Sequence, residues 1–126
     1  ILFVDDEAPL AELAKELLAR LGYRVTIHTD STEALSLFEQ QPRAFDLVMT
    51  DMTMPRLSGD ALAEKLRTIR PDIPIIICTG FNQKVTPEMM SRLGIDALIM
   101  KPLSRNQLGL TVRQVLDGVG RSKAEG

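Results

Sequence analysis

Asp46-Leu47-Val48-Met49-Thr50-Asp51 is the stretch on which the reading of this chain turns. Leu47, Val48 and Met49 run without a polar break, as a strand does when it is covered on both faces. A lone carboxylate, Asp51, then stands at its end, followed by a loop containing Pro55 and Gly59. Working outward, short apolar runs recur at Ile1–Val4, Arg24–His28, Ile73–Thr79 and Ala97–Met100. With Asp46–Thr50 they make five strand candidates.

Amphipathic stretches separate them. Leu10, Leu13, Leu17, Leu18 and Leu21 repeat at helical spacing, and Gly22 follows as a stop. Ser31 or Thr32 caps a second helix carrying Ala34, Leu35 and Phe38, which Pro42 ends. Gly59 precedes a third, with Leu62, Leu66 and Ile69, finishing before Pro71. Thr86 and Pro87 form an N-cap and first-turn proline for a short fourth helix that closes near Gly94. Ser104 caps the last helix, whose inner face carries Leu108, Val112, Val115 and Leu116. Alternation of this kind predicts an α/β domain with a parallel sheet. Right-handed crossovers leave few topologies, and the doubly wound, flavodoxin-like order 2-1-3-4-5 with five helices is the expected one.

The bulk numbers narrow the function classes. At 126 residues, 44% hydrophobic and 25% charged, the chain fits one ordinary domain and is not disordered. A net charge of −2 supplies no field for nucleic acid, so none is expected to bind this domain. No apolar stretch approaches the roughly 20 residues of a membrane span. Cys78 is the single cysteine and lies within Ile75-Ile76-Ile77-Cys78, where it reads as a small buried hydrophobe in a reducing, cytoplasmic setting. Residues 1–118 are expected to be the domain, and the polar stretch 119–126 a tail or linker. The start on Ile1 reads as a cut from something longer.

In a doubly wound sheet, ligands bind beyond the carboxyl ends of the strands. Here those ends carry Asp5-Asp6-Glu7, Asp51, Thr79 and Lys101-Pro102; the second strand ends in Thr29-Asp30, which reads as loop and cap. Asp5, Asp6 and Asp51 repel one another unless a cation joins them. A hard divalent ion such as Mg²⁺ suits oxygen ligands and keeps sites open for phosphate oxygens. Taken alone, the acidic trio is equally a solvated turn or a set of helix N-terminal charges. Lys101 is either a plain ion pair or the point charge that holds a transferred phosphoryl group. Thr79 supplies a hydroxyl to the same oxygen, although by itself it reads as a polar strand terminus. A carboxylate can accept a phosphoryl group covalently, and Asp51, isolated at its strand end, is the better nucleophile. The aspartate pair then holds the metal, directly or through water.

These residues resemble the receiver domain of two-component response regulators, the CheY-like family, from Ile1 to about Asp117. The motifs are Phe3-Val4-Asp5-Asp6-Glu7, Thr50-Asp51-Met52-Thr53-Met54-Pro55 with Gly59, Thr79-Gly80 and Lys101-Pro102. The resemblance implies that Asp51 is phosphorylated and that Asp6 ligates Mg²⁺ directly. It implies that Asp5 acts on the metal through water, and that Thr53 offers its backbone carbonyl. Thr79 and Lys101 are implied to bind phosphoryl oxygens, with a cis Lys101–Pro102 bond. The donor is then a histidine kinase or histidine phosphotransfer protein, and the domain signals rather than turning over a substrate. The output surface is expected across Thr86–Leu116, meeting a second copy or an output domain.

Leu98 departs from the family, which often has an aromatic residue there, and Thr53 and Phe81 depart from commoner polar pairs beside the path of attacking water. The Cys78-Thr79-Gly80-Phe81 and Lys101-Pro102-Leu103 contexts are similar to receiver tails of hybrid sensor kinases; a free-standing protein and a transcription-factor front are the other settings. Three rival readings were weighed. An FMN carrier needs a phosphate loop where this chain has three acids. A phosphohydrolase needs a second Asp where this chain has Thr53. A degenerate receiver, binding partners without phosphorylation, is disfavoured by the complete polar set.

Overall fold

The computed structural model describes residues 1–80 and 85–125, with side chains through 118. Its elements alternate as the sequence predicts: β1 (Leu2–Val4), α1 (Ala8–Arg20), β2 (Thr26–His28), α2 (Ser31–Gln40) and β3 (Val48–Asp51). Then follow α3 (Gly59–Ile69), β4 (Ile75–Thr79), α4 (Pro87–Leu93), β5 (Ala97–Met100) and α5 (Arg105–Glu125). All strands pair in parallel in the order β2-β1-β3-β4-β5.

Side-chain alternation along each strand divides the core into two layers. Leu2, Val4, Val48, Ile75 and Ile77 face α2, α3 and α4, packing on Phe38, Leu62 and Leu66. Phe3, Leu47, Met49, Ile76, Cys78 and Ile99 face α1 and α5, packing on Leu18, Leu108 and Val112. Cys78 is fully buried, and that burial pushes its thiol up to about 12, which leaves it inert.

Two helices differ in detail from their sequence patterns. The leucine repeat located α1, but the residues buried against the sheet are Ala11, Ala14 and Leu18. Leu13 and Leu21 are 43% and 41% exposed. Small alanines bring the helix close to its neighbours, so the longer leucines flank the contact. Gly22, at φ 98°, ends the helix in the left-handed region as expected. For α2 the cap is Asp30, whose carboxylate accepts from Thr32 N at 2.9 Å, one residue before Ser31 and two before Thr32. The caps of α4 and α5 fall on Thr86 and Ser104 as read, accepting from Met89 N at 3.1 Å and Gln107 N at 3.2 Å.

Arg67 of α3 fastens the C-terminal end of α4. Its guanidinium donates to the carbonyls of Leu93, Gly94 and Pro71 and pairs with Asp96 at 3.3 Å. Asp96 in turn accepts from Ile75 N at 2.8 Å, tying the clamp to the start of β4. The orphan carbonyls at the end of a helix are satisfied here by a neighbouring helix's side chain. Helix α5 continues into the stretch read as a tail.

Candidate functional site

Asp5 follows β1, Asp51 ends β3, Thr79 ends β4 and Lys101 follows β5, so the topology gathers four distant sequence positions at one rim of the sheet. Asp5, Asp51 and Thr79 are buried, while Asp6 is exposed. Carboxylate oxygens of Asp5, Asp6 and Asp51 lie within 4.8 Å of one another. Lys101 Nζ stands 3.1 Å from Asp5 Oδ2 and 3.1 Å from Asp51 Oδ1. Strand β5 is two places from β3, about 10 Å at ordinary spacing. A four-carbon stem spans that gap, which a shorter cation would not. The Lys101–Pro102 bond is cis, and Lys101 N donates to Thr79 O at 2.8 Å.

The remaining contacts hold the carboxylates in place. Asp5 Oδ1 accepts from Glu7 N at 2.9 Å, and Asp51 Oδ1 accepts from Met52 N at 2.9 Å. The loop after Asp51 then folds back tightly, with Gly59 N donating to Met52 O at 2.7 Å. A Cβ at Gly59 would stand 2.2 Å from Asp51 O, so only glycine allows α3 to start this close to the end of β3. Sequence reading placed Gly59 before the helix; the close approach was not legible from it. Thr50, also buried, donates its hydroxyl to Asp51 O at 2.9 Å.

One ammonium is shared by two carboxylates, Asp5 and Asp51, with a third, Asp6, beside them. Burial raises the Asp51 carboxyl above its ordinary range; the Lys101 hydrogen bond opposes this and the Asp5 charge adds to it. For Lys101, burial works against the charge, but hydrogen bonds and attraction from Asp5 and Asp51 outweigh it and the net shift is upward. The two directions are compatible, because Lys101 gains two anionic partners while Asp51 gains only a share of one cation. The ionised set carries three negative charges against one positive. Oxygen donors with two uncompensated negative charges suit a divalent hard cation.

Asp5, Asp6, Asp51, Thr79 and Lys101 come to the same rim. Thr79 Oγ1 is bonded to Gly80 O at 3.4 Å and is not within the Lys101–Asp51 pair. Thr53 is exposed, one residue beyond the Met52 carbonyl that Gly59 engages. Phe81 lies outside the described residues, as does most of the Gly80–Val85 loop. Asp30 and Ser31 were legible only as loop and cap and Arg56 not at all, yet they tie the loop after Asp51 to the start of α2.

A rim of buried acids crossed by one lysine, on this topology, defines a class of domain, and comparison with known proteins agrees. Residues 1–113 match the response regulator receiver domain. The chain is 34% identical over 116 residues to a probable transcriptional regulator ycf27 of Guillardia theta, covering 92% of this chain and 44% of that one. It is 31% identical over 125 residues to the sensory transduction protein RegX3 of Mycobacterium tuberculosis, covering 99% and 54%. A receiver domain protein from Clostridium thermocellum superposes with a TM-score of 0.86 at 29% identity, covering 99% and 97%. The chain belongs to the response regulator receiver domains, the CheY-like modules of two-component signalling. It spans about half the length of the curated relatives it matches.

Proposed function

We propose that Asp51 accepts a phosphoryl group from a phosphohistidine, with Mg²⁺ as cofactor, and that the change is read across Thr86–Leu116. The observation that carries this reading is the Lys101 ammonium held 3.1 Å from both Asp5 and Asp51 at a buried strand end. Lys101 and Met52 N both engage Oδ1 of Asp51, and Oδ2 is the oxygen that attacks. Attack on phosphorus forms the O–P bond as the P–N bond breaks, and the imidazole leaves. Lys101 then transfers its contact from the carboxylate to a phosphoryl oxygen, and the Thr79 hydroxyl donates to the phosphoryl group as well. Mg²⁺, when bound, neutralises charge on the transferring oxygens. Asp6 and Asp51 would hold it directly, with the Thr53 carbonyl, and Asp5 through water. Catalysis is positioning and charge neutralisation, not turnover, so the domain acts as a switch.

The partner on the donor side is a histidine kinase or histidine phosphotransfer protein, in the cytoplasm. Among the described residues no helix is long and apolar enough to cross a membrane. On the output side, relatives named as transcriptional regulators favour the front of a longer regulator over a hybrid-kinase tail, with 1–118 as the phosphoacceptor unit and 119–126 as the link. Exposed Met100 and Leu110 lie within the expected output surface, where a second copy or an output domain would pack.

Acetyl phosphate and Mg²⁺ should add one phosphoryl group to the protein by intact mass. Asp51→Asn or EDTA should abolish the addition. Equal labelling of Asp51→Asn would overturn the assignment.

A further inference from the structure

The loop that links Asp51 to α3 is anchored twice. Near the site, Met52 is held through its amide and its carbonyl. Farther out, at Pro55 and Arg56, the loop is tied to the start of α2. Arg56 donates to Asp30 Oδ2 at 2.8 Å, and the buried Ser31 hydroxyl donates to Pro55 O at 3.4 Å. Asp30 divides its two oxygens. Oδ1 accepts from Thr32 N at 2.9 Å and from the Thr32 hydroxyl at 2.6 Å, which fixes the carboxylate on its helix, and Oδ2 is presented to Arg56.

Arg56 itself has φ 69°, and it is the one non-glycine residue with positive φ among the described residues. A side chain in the left-handed region is unfavourable, and glycine or asparagine would adopt it more readily. An exposed ion pair contributes little to stability, and Arg56 is 69% exposed. A strained residue held by a pre-oriented partner beside a reactive site calls for a role in that site. Between the two anchors lies Thr53.

We infer that the Asp30–Arg56 pair is a strap that positions the 52–58 loop, and with it the Thr53 carbonyl, for the divalent cation. Both are positioning residues, acting through the loop. The inference rests on the phosphoacceptor reading above, which supplies the cation. It also makes a prediction of sign. If Arg56 acted only through its charge, removing it would strengthen binding of a cation nearby. If it positions a ligand, removing it weakens binding.

The test is calorimetric titration of Mg²⁺ into the parent, Arg56→Met, Asp30→Asn and the double variant. Asparagine keeps an oxygen for the α2 cap, so the helix is retained. Each single variant should weaken Mg²⁺ binding by about two- to fivefold, the factor to which an exposed pair of this kind converts. The double variant should be no weaker than either single one. Without Mg²⁺, amides of 53–58 should exchange faster in Arg56→Met while those of α1 are unchanged. Arg56→Lys should recover most of the affinity. Unchanged or tighter Mg²⁺ binding by Arg56→Met, or additive losses in the double variant, would overturn the strap. A parent that binds no Mg²⁺ would overturn the phosphoacceptor reading, and the strap with it.

Discussion

The two faces of the sheet are edged by different side chains. Against α1 and α5, Phe3, Leu18, Met49, Ile76, Ile99, Leu108 and Val112 are wholly buried. That layer has a margin of partly buried side chains, Ile1, Leu17, Tyr23, Val25, Ile27, Ala97, Leu103 and Leu116, none of them methionine. Against α2, α3 and α4 the inner layer is equally closed, and its margin differs in holding Met52, Met89 and Met90. Met52, Leu57, Val85, Met89, Met90 and Leu98 are only partly buried there. Methionine at half-burial repacks with small loss, because its unbranched side chain has many rotamers of similar energy. The C-terminal end of α4 is fastened by Arg67, so movement on this face is expected at its N-terminal end, beside Thr79. A rigid face thus backs the acid rim, and an adjustable one lies along its exit.

The largest effect should come from the rigid face. Leu18→Ala should lower stability by about 3 kcal/mol in denaturant melts, the range for a fully buried leucine. A loss below about 1 kcal/mol would show that this face also yields. Next is the ion triad. Lys101→Ala leaves Asp5 and Asp51 without their cation and should remove about 2 kcal/mol at neutral pH, toward the low side of buried pairs because Lys101 is 18% exposed. Mg²⁺ should restore part of it. Since the Lys101 pKa is raised on folding, the contribution holds below about 10.4 and fades as pH rises through the folded value.

Asp51→Asn should act in the opposite direction. The folded carboxyl has a raised pKa, so its ionised form disfavours the native state. Without metal, Asp51→Asn should raise stability near neutral pH, by less than Lys101→Ala removes. The gain should shrink toward zero as pH falls below about 4, where both states hold the proton. A gain independent of pH would point to packing instead. Smallest is Met90→Ala at the adjustable margin, expected at or below about 1 kcal/mol and well under the Leu18 value.

Much of this was legible in the sequence, for a physical reason. Strands covered on both faces appear as apolar runs, and a parallel sheet places functional groups at their carboxyl ends, so Asp5, Asp51, Thr79 and Lys101 could be read from run boundaries alone. Strand starts were less legible. β2 begins at Thr26 and β3 at Val48, later than the apolar runs suggest, because their pairing extends only as far as the three residues of β1 opposite them. The leucine spacing located α1 but did not show that Ala11 and Ala14 share its buried face with Leu18, since alanine gives little hydrophobic signal yet permits close packing. Asp30 was legible as a loop and cap residue, but its pairing with Arg56 was not, because two charges 26 residues apart have no periodicity.

The central claim is that charge at the acid rim moves the adjustable face and not the rigid one. Hydrogen exchange with and without beryllofluoride and Mg²⁺, the former standing in for the phosphoryl group, tests it directly. The account predicts altered protection from Val85 through α4, with smaller shifts at Leu98 and in the first turns of α5, and α1 unchanged. Changes confined to α1, with none between Val85 and Leu116, would contradict it.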